Sequence, residues 1–298
     1  MAAISASKGR TRFIRLKPAR RINRSFGGSF ALFMLLLIVG AFMFLPIILM
    51  VMNAFKPLDE LFYFPPRFFV RNPTFRNFTT LFTLMAESWV PFSRYIFNTL
   101  FITTVGIVGH VLLASAAAYP LAKHKFPGKP IIFSIVVLSL MFAREVTAVP
   151  NYMIITAMQI NNTYWAVIMP AFAMSLGLYL MKQFMEQIPD SIIESARIDG
   201  SSEYRTFWSI VMPNVKPAWL TLAILMFQVL WGETGGQFLR DEAIKPLSFA
   251  MQQIAMGGIA RAGAFAAVSF IMFIVPVTFF IITQSNVIET MATSGMKE

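Results

Sequence analysis

The sequence predicts an all-α polytopic membrane protein with six transmembrane helices. Of its 298 residues, 57% are hydrophobic and only 13% are charged, whereas soluble domains average about 25% charged residues. Strongly apolar runs alternate with polar stretches along the whole chain. The net charge of +11 does not indicate a nucleic-acid binder, because Lys and Arg cluster at the ends of the apolar runs.

The N-terminal residues 1–28 form a basic arm with eight Lys and Arg residues and no acidic residue. This composition predicts a cytoplasmic arm held at anionic lipid headgroups, at about 1 kcal/mol per basic residue; a transit peptide is the alternative. The basic run stops directly before a long apolar segment, which favours the lipid arm. That apolar segment, residues 29–55, is too long for a signal-peptide core and is predicted to be a retained first span.

Five further spans are predicted at residues 95–122, 131–149, 164–185, 218–232 and 262–284. The second is rich in Gly and Ala, which allow helices to approach closely. The proline-rich residues 56–94 are predicted to lie outside with short surface helices, although they carry several basic residues. Because Lys and Arg favour the cytoplasm, we expect both termini inside, with residues 189–217 cytoplasmic and residues 233–261 outside.

Catalytic and metal-binding patterns are missing from the sequence. There is no cysteine, which excludes thiolate chemistry, and no hydrolase, phosphate-loop or metal-ligand motif is present. The chain is therefore not predicted to be an enzyme. His110 could relay protons, but a neutral histidine bonded to a neighbouring helix is favoured.

Several polar residues lie in or beside the spans. Arg144 and Glu145 are adjacent, so on a helix they do not face each other; a gating contact and interfacial anchoring both remain open. Five other polar residues could line a polar path through the membrane, but hydrogen bonding between helices is the favoured interpretation. They are Asn98, Thr103, Thr104, Gln228 and Glu233.

The most informative stretch is the polar segment, which we define as residues 189–217. Pro189 precedes Asp190 and Ser191, which start a short helix that Gly200 ends. A second helical pattern starts near residue 201 and is predicted to end at Pro213 and Pro217. Two short helices joined at a glycine form a compact unit, which could dock on a protein or rest on lipid.

At these residues the sequence resembles the permease subunits of ATP-binding-cassette importers. The family signature is EAA, three residues, a glycine, about nine residues and then I-x-L-P. It stands here as Glu194-Ser195-Ala196, Gly200 and Ile210-Val211-Met212-Pro213. Asp199 and Phe207 also match the carbohydrate-importer form, whereas Ser195 and Met212 depart from the pattern. The likeness extends over nearly the whole chain to the second permease of maltose-type importers.

The resemblance implies the type I importer permease fold and a coupling role for the polar segment. In this family the segment sits in a cleft of an ATPase subunit. The coupling residues so implied are Glu194, Ser195, Ala196, Asp199, Gly200, Phe207, Ile210 and Pro213. The implied partners are a homologous second permease, two ATPase subunits that bind ATP and Mg²⁺, and a solute-binding protein. No cofactor is expected in this chain, which is placed in the inner membrane of a prokaryote.

The loop of residues 233–261, termed the outer loop, is implied to contact the solute-binding protein through Gly235, Gly236, Gln237 and Arg240. Its glycines would allow an irregular, mobile loop. A plain polar connector is the alternative.

The expected cargo is an oligosaccharide. The GETGGQF sequence of the outer loop and the tail IETMATSGMKE resemble permeases paired with uptake of uronate-containing oligosaccharides, such as alginate or pectin fragments. Four basic residues are predicted to lie outside, where they would either attract an anionic cargo or anchor the protein at lipid headgroups. They are Arg67, Arg71, Arg76 and Arg240. Alternatives are another solute, a membrane scaffold without transport, and a proton-coupled secondary transporter, which the scarcity of intramembrane acids argues against.

Overall fold

The computed structural model describes residues 26–86 and 89–294, and these residues contain helices but no strand. The basic arm falls largely on residues 1–25, which lie outside the described residues. The chain divides into two units, Met1–Ile48 and Leu49–Glu298. In the first unit the described residues form the first part of helix α1. All contacts discussed below lie within the second unit.

The α-helices are numbered here in chain order. They are α1 Phe26–Phe55, α2 Leu58–Leu61, α3 Arg76–Ala86, α4 Phe92–Lys123, α5 Lys129–Ser139, α6 Arg144–Ala157, α7 Trp165–Phe172, α8 Ser175–Glu186, α9 Asp190–Ile198, α10 Glu203–Thr206, α11 Met212–Asn214, α12 Lys216–Trp231, α13 Leu247–Met256 and α14 Ala262–Ser294. The proline-rich stretch between α1 and α4 contains the two short helices α2 and α3.

Four helical stretches of the described chain are long and apolar enough to cross a membrane, namely Gly27–Phe55, Phe92–Lys123, Trp165–Glu186 and Gly258–Gln284. Two bent helix pairs bring the number to six if each pair forms one span. The all-helical membrane fold is therefore confirmed, with four to six spans.

The predicted third span, residues 131–149, is not one continuous helix. α5 ends at Ser139, α6 begins at Arg144, and the two helices are bent by 111°. The break lies where the Arg144 guanidinium pairs with Glu233 after α12. A charge in or beside a membrane span is favoured by such a partner, and the apolar residues around Arg144 hide the turn from a hydropathy analysis.

The start of the predicted fifth span also differs from expectation. α12 continues from the polar segment after one residue, Val215, and the two helical stretches are bent by 76°. Pro213 lies inside α11 and does not end the second short helix, whereas Pro217 lies in the first turn of α12. Proline is tolerated in a first turn because its missing N–H has no partner there.

Helix α4 packs closely on its neighbours through two glycines. A Cβ at Gly106 would lie 2.5 Å from Leu230 Cδ1, and a Cβ at Gly109 would lie 2.2 Å from Phe172 Cε1. Real Cβ atoms do not come this close to another heavy atom, so only glycine fits without movement. The predicted close approach of the second span is thus confirmed at these positions.

His110 lies beside this contact and is fully buried. Its Nδ1 lies 3.1 Å from the Phe172 carbonyl oxygen. Since a carbonyl oxygen only accepts, Nδ1 carries the hydrogen of this bond. The predicted hydrogen bond to a neighbouring helix is confirmed.

We expect Gly109→Ala to destabilise the protein by about 1–3 kcal/mol, because the added methyl group overpacks the contact with Phe172. The measurement is the thermal midpoint of the detergent-purified protein. Gly232→Ala is the matched control, since its Cβ would have an ordinary 3.8 Å contact with the Gln228 carbonyl oxygen. Equal midpoints for the two variants would contradict the packing argument.

Candidate functional site

The first half of the polar segment is a short helix closed by a glycine. α9 ends at Ile198, and Gly200 follows with a φ of +79°, in the left-handed region that favours glycine. The Ser201 N–H donates to the Ala196 carbonyl at 2.9 Å, and the Gly200 N–H donates to the Arg197 carbonyl at 3.0 Å. These bonds satisfy two of the last carbonyls of α9. The predicted helix end at Gly200 is confirmed.

The second half starts at Ser202, whose Oγ accepts a hydrogen bond from the Arg205 N–H at 3.3 Å. α10 is followed by a π-helical turn, Phe207–Val211, and then by α11. This turn ends two residues before Pro213, which has no N–H to continue the α-helical pattern. Such π turns occur often at functional sites, and this one was not predicted from the sequence.

One side of the polar segment is buried against the helix bundle. Ile193, Phe207 and Val211 are at most 8% exposed and share a core with Tyr119 of α4, and Ala196 is buried as well. The Phe207 and Tyr119 rings lie 5.5 Å apart. Ala196 and Phe207, two of the motif residues, therefore attach the segment to the rest of the molecule.

The other motif residues lie on the opposite side. Glu194, Ser195, Asp199, Gly200 and Pro213 are exposed, and Ile210 is half-buried.

Large apolar side chains share this exposed side with the motif residues. Ile198 is 86% exposed and Tyr204 is 75% exposed, and Ile192 and Trp208 are exposed as well. An apolar patch mixed with acidic groups is typical of a surface that another protein covers.

A polar cluster ties the segment to the end of α4. Glu203 accepts hydrogen bonds from Arg197 Nε at 2.8 Å and from the Tyr119 hydroxyl at 2.9 Å. His124 Nε2 lies 3.6 Å from the same carboxylate. The Arg197 guanidinium holds the pKa of Glu203 below its ordinary value. We call Arg197, Glu203 and Tyr119 the latch.

A second ion pair joins the segment to α4. The Lys123 ammonium donates to Asp190 Oδ1 at 2.7 Å, and this hydrogen bond lowers the pKa of Asp190. The same ammonium also donates to the Ile188 carbonyl. Neither this pair nor the latch was predicted from the sequence. The basic residues at the end of α4 and in the turn after it, together with the acidic residues of the polar segment, could have indicated such pairing.

The predicted irregular outer loop is borne out only in part: residues 233–246 contain a 3₁₀ turn, Glu242–Ile244, whereas the helix α13 fills Leu247–Met256. Several hydrogen bonds anchor the loop. Asn162 Oδ1 accepts the Arg240 and Asp241 N–H groups at 2.9 and 2.8 Å, and the Asn162 N–H donates to the Phe238 carbonyl at 2.9 Å. Asn98 of α4 donates to the Ala243 and Lys245 carbonyls at 2.9 and 2.8 Å.

The four residues predicted to contact a solute-binding protein do not share one environment. Gly236, Gln237 and Arg240 are exposed, whereas Gly235 is buried. Gly235 has a φ of +79°, and a Cβ there would lie 2.6 Å from Leu239 Cδ1. Its role in the structure is to shape the loop.

A cavity of about 520 Å³ lies where helices break and end. Its walls are formed by residues at the α5–α6 break, at the α7–α8 break and at the end of α12. Its charged lining residues are Arg144 and Glu233. Arg144 Nη2 and Glu233 Oε2 form an ion pair. Glu233 thus bonds to another helix, as predicted. In the part of the chain that the structure describes, no group of three acidic or His side chains could hold a metal ion.

Comparison with known proteins gives consistent relatives. Residues 110–290 match the family described as "Binding-protein-dependent transport system inner membrane component". The arabinooligosaccharides transport system permease protein AraQ of Halalkalibacterium halodurans is 30% identical over 62% of this chain and 66% of AraQ. The polygalacturonan/rhamnogalacturonan transport system permease protein YtcP of Bacillus subtilis is 29% identical over 54% of this chain and 60% of YtcP.

A solved structure shares the fold. A bacterial ABC transporter involved in the import of the acidic polysaccharide alginate matches with a TM-score of 0.75, over 88% of this chain and 98% of that chain, at 18% identity. The predicted resemblance to carbohydrate importer permeases is confirmed, and the alternative of a proton-coupled secondary transporter has no support. Because the family match covers more than half of the sequence, including the whole polar segment, the chain belongs to the inner membrane components of binding-protein-dependent transport systems.

Proposed function

We propose that this chain is a permease subunit of an ATP-driven importer that passes an oligosaccharide across the inner membrane. A solute-binding protein delivers the cargo, a homologous second permease completes the pathway, and two ATPase subunits bind ATP and Mg²⁺. Both termini lie in the cytoplasm in this proposal. The observation that carries it is the polar segment, which is fastened to the bundle on one side and exposes acidic and apolar groups on the other.

The exposed side of the polar segment fits a protein partner better than a lipid surface. Burying Ile198 and Tyr204, both largely exposed, would stabilise a complex by about 1.5–3 kcal/mol for each large apolar side chain. Glu194 and Asp199 lie on the same exposed side. Anionic headgroups repel these carboxylates, whereas basic residues of an ATPase cleft would pair with them.

The predicted coupling residues have two roles in this proposal. Ala196 and Phe207 hold the segment on the bundle, and Gly200 permits the turn between its helices. The ATPase would be contacted directly by Glu194, Ser195, Asp199, Ile210 and Pro213.

An acidic oligosaccharide is the cargo we favour. The names of YtcP and of the alginate transporter refer to uronate polymers, whereas that of AraQ refers to arabinooligosaccharides. Arg71, Arg76 and Arg240 are exposed, and a basic outer surface would raise the local concentration of an anion. Arg67 lies over the Tyr63 ring at 4.0 Å and has the weaker claim to such a role.

We expect Glu194→Lys to abolish ATP-driven uptake in proteoliposomes while insertion and assembly of the permease remain intact, because the reversed charge faces the basic side of the ATPase cleft. Uptake and ATP hydrolysis are measured together. Asp59→Lys, an exposed charge reversal on α2, is the control and should transport normally. Normal coupled uptake by Glu194→Lys would refute the coupling role.

We expect Glu203→Gln to lower the thermal midpoint of the purified permease at neutral pH. The folded-state pKa of Glu203 is lowered, so the stabilisation is fully present above the ordinary glutamate pKa of about 4.3 and is lost as the pH falls through the folded value. The difference between wild type and variant should therefore be constant above about pH 5.5 and shrink towards pH 4. A difference that does not change with pH would argue against the ionised latch.

We expect Arg240→Glu to slow association of the solute-binding protein, because an exposed charge at an interface rim acts mainly on the association rate. The loss should shrink as salt is added. Surface plasmon resonance on the reconstituted complex measures it, with Lys125→Glu on the exposed turn after α4 as the control. An unchanged association rate at low salt would favour the plain connector.

A further inference from the structure

The cavity at the helix breaks has the size and lining of a ligand site. Its volume of about 520 Å³ falls in the range of about 300–1,000 Å³ that is common for ligand pockets. Irregular backbone is tolerated at membrane depth where it lines such a cavity. The polar lining residues are Ser139, Arg144, Thr147, Asn151, Ser175 and Glu233.

Arg144 has unused hydrogen-bonding capacity. A guanidinium carries five N–H donors, and within the described chain its hydrogen bond is the one from Nη2 to Glu233 Oε2. The Arg144 side chain is 69% exposed and lines the cavity. It can therefore bind a second carboxylate without losing its first partner.

Glu233, in contrast, is fully engaged. Its side chain is 14% exposed. Its Oε1 accepts the Thr234 and Gly235 N–H groups, both at 3.2 Å, while Oε2 accepts from Arg144. The carboxylate is fixed by these donors, so it positions Arg144 at the cavity and leaves the remaining guanidinium N–H groups to a ligand.

The neutral lining suits a sugar. The Asn151 side chain lines the cavity, and no hydrogen bond to its amide group occurs within the described chain, so both its donor and acceptor are open to hydroxyl groups. Phe142, which is 56% exposed, gives the cavity an aromatic side chain. Hydroxyl and amide groups beside an apolar ring match the two kinds of surface that a saccharide presents.

We propose that this cavity binds one uronate residue of the oligosaccharide in passage, with the substrate carboxylate on Arg144. This inference rests on the proposed function and deepens it. Arg144 is then a specificity-determining residue: the bidentate fork that guanidinium offers to carboxylates selects acidic cargo. Asn151 and Phe142 contact the sugar ring whether or not the carboxyl group is ionised.

The test uses the complete transport complex in proteoliposomes and two probes, trigalacturonate and its fully methyl-esterified form. The ester keeps the sugar skeleton and removes the charge. We expect Arg144→Gln to lower the uptake efficiency for trigalacturonate about ten- to a hundredfold and to change that for the ester by less than about threefold. Lys125→Gln, an exposed basic residue on the turn after α4 and outside the cavity lining, should leave both unchanged.

Arg144→Lys keeps the test decisive if the glutamine variant fails to assemble. Lysine retains the charge but loses the fork, so acid uptake should fall by a smaller factor and ester uptake should stay the same. Equal losses for acid and ester, or no loss for either, would overturn the carboxylate site. If the carboxylate site is overturned in this way but the ester is still taken up in an ATP-driven manner, the proposed importer function stands. Failure of the carboxylate site is thus distinguished from failure of the importer function.

Discussion

Close packing of α4 on its neighbours is the constraint on which the rest of the structure depends. Glycine at positions 106 and 109 lets Leu230 of α12 and Phe172 of α7 touch the α4 backbone. The same helix contacts the outer loop through Asn98 near one end and the polar segment through Tyr119 near the other. Its 32 residues span about 48 Å at 1.5 Å per residue. The outer loop and the polar segment are therefore both attached to one continuous helix.

The placement of charge follows from the cost of burying it. Lys182 on α8 is 8% exposed, and it pairs with Glu186 at 2.8 Å while lying over the Phe133 ring at 3.7 Å. Arg144 instead lies at a helix break beside a cavity, paired with Glu233. An ionised group near the membrane interior needs a partner or access to water. Lys182 satisfies this rule through its packed partners. Arg144 satisfies it by lying beside an open cavity, which is why Arg144, unlike Lys182, lies where a solute could reach it.

Sequence reasoning succeeded where the signal is local. Gly200 ends α9 because its φ of +79° suits glycine, and the long apolar runs of α4 and α14 are visible from hydropathy. It failed where the determinant lies elsewhere in the chain. At the break, Arg144 pairs with Glu233, 89 residues away, and the latch depends on Tyr119 meeting Glu203 across 84 residues. The π-helical turn before Pro213 was not predicted for a different reason. Proline commonly ends a helix, so Pro213 and Pro217 both indicated a helix end and neither indicated a π turn.

The polar segment is connected to the bundle by two routes of different kind, and the second one leads to the cavity. Through the latch and the Phe207 contact it acts on α4, by side-chain packing and charge. Through Val215 it is covalently continuous with α12, whose 16 residues extend for about 24 Å and end just before Glu233. In the proposed importer, a displacement of the segment would therefore act on the position of Glu233, and with it on Arg144, along a single helix. Because Arg144 is held by that carboxylate, the orientation of its open donors depends on where α12 ends. Coupling between the segment and the cavity thus needs only one rigid helix and one ion pair.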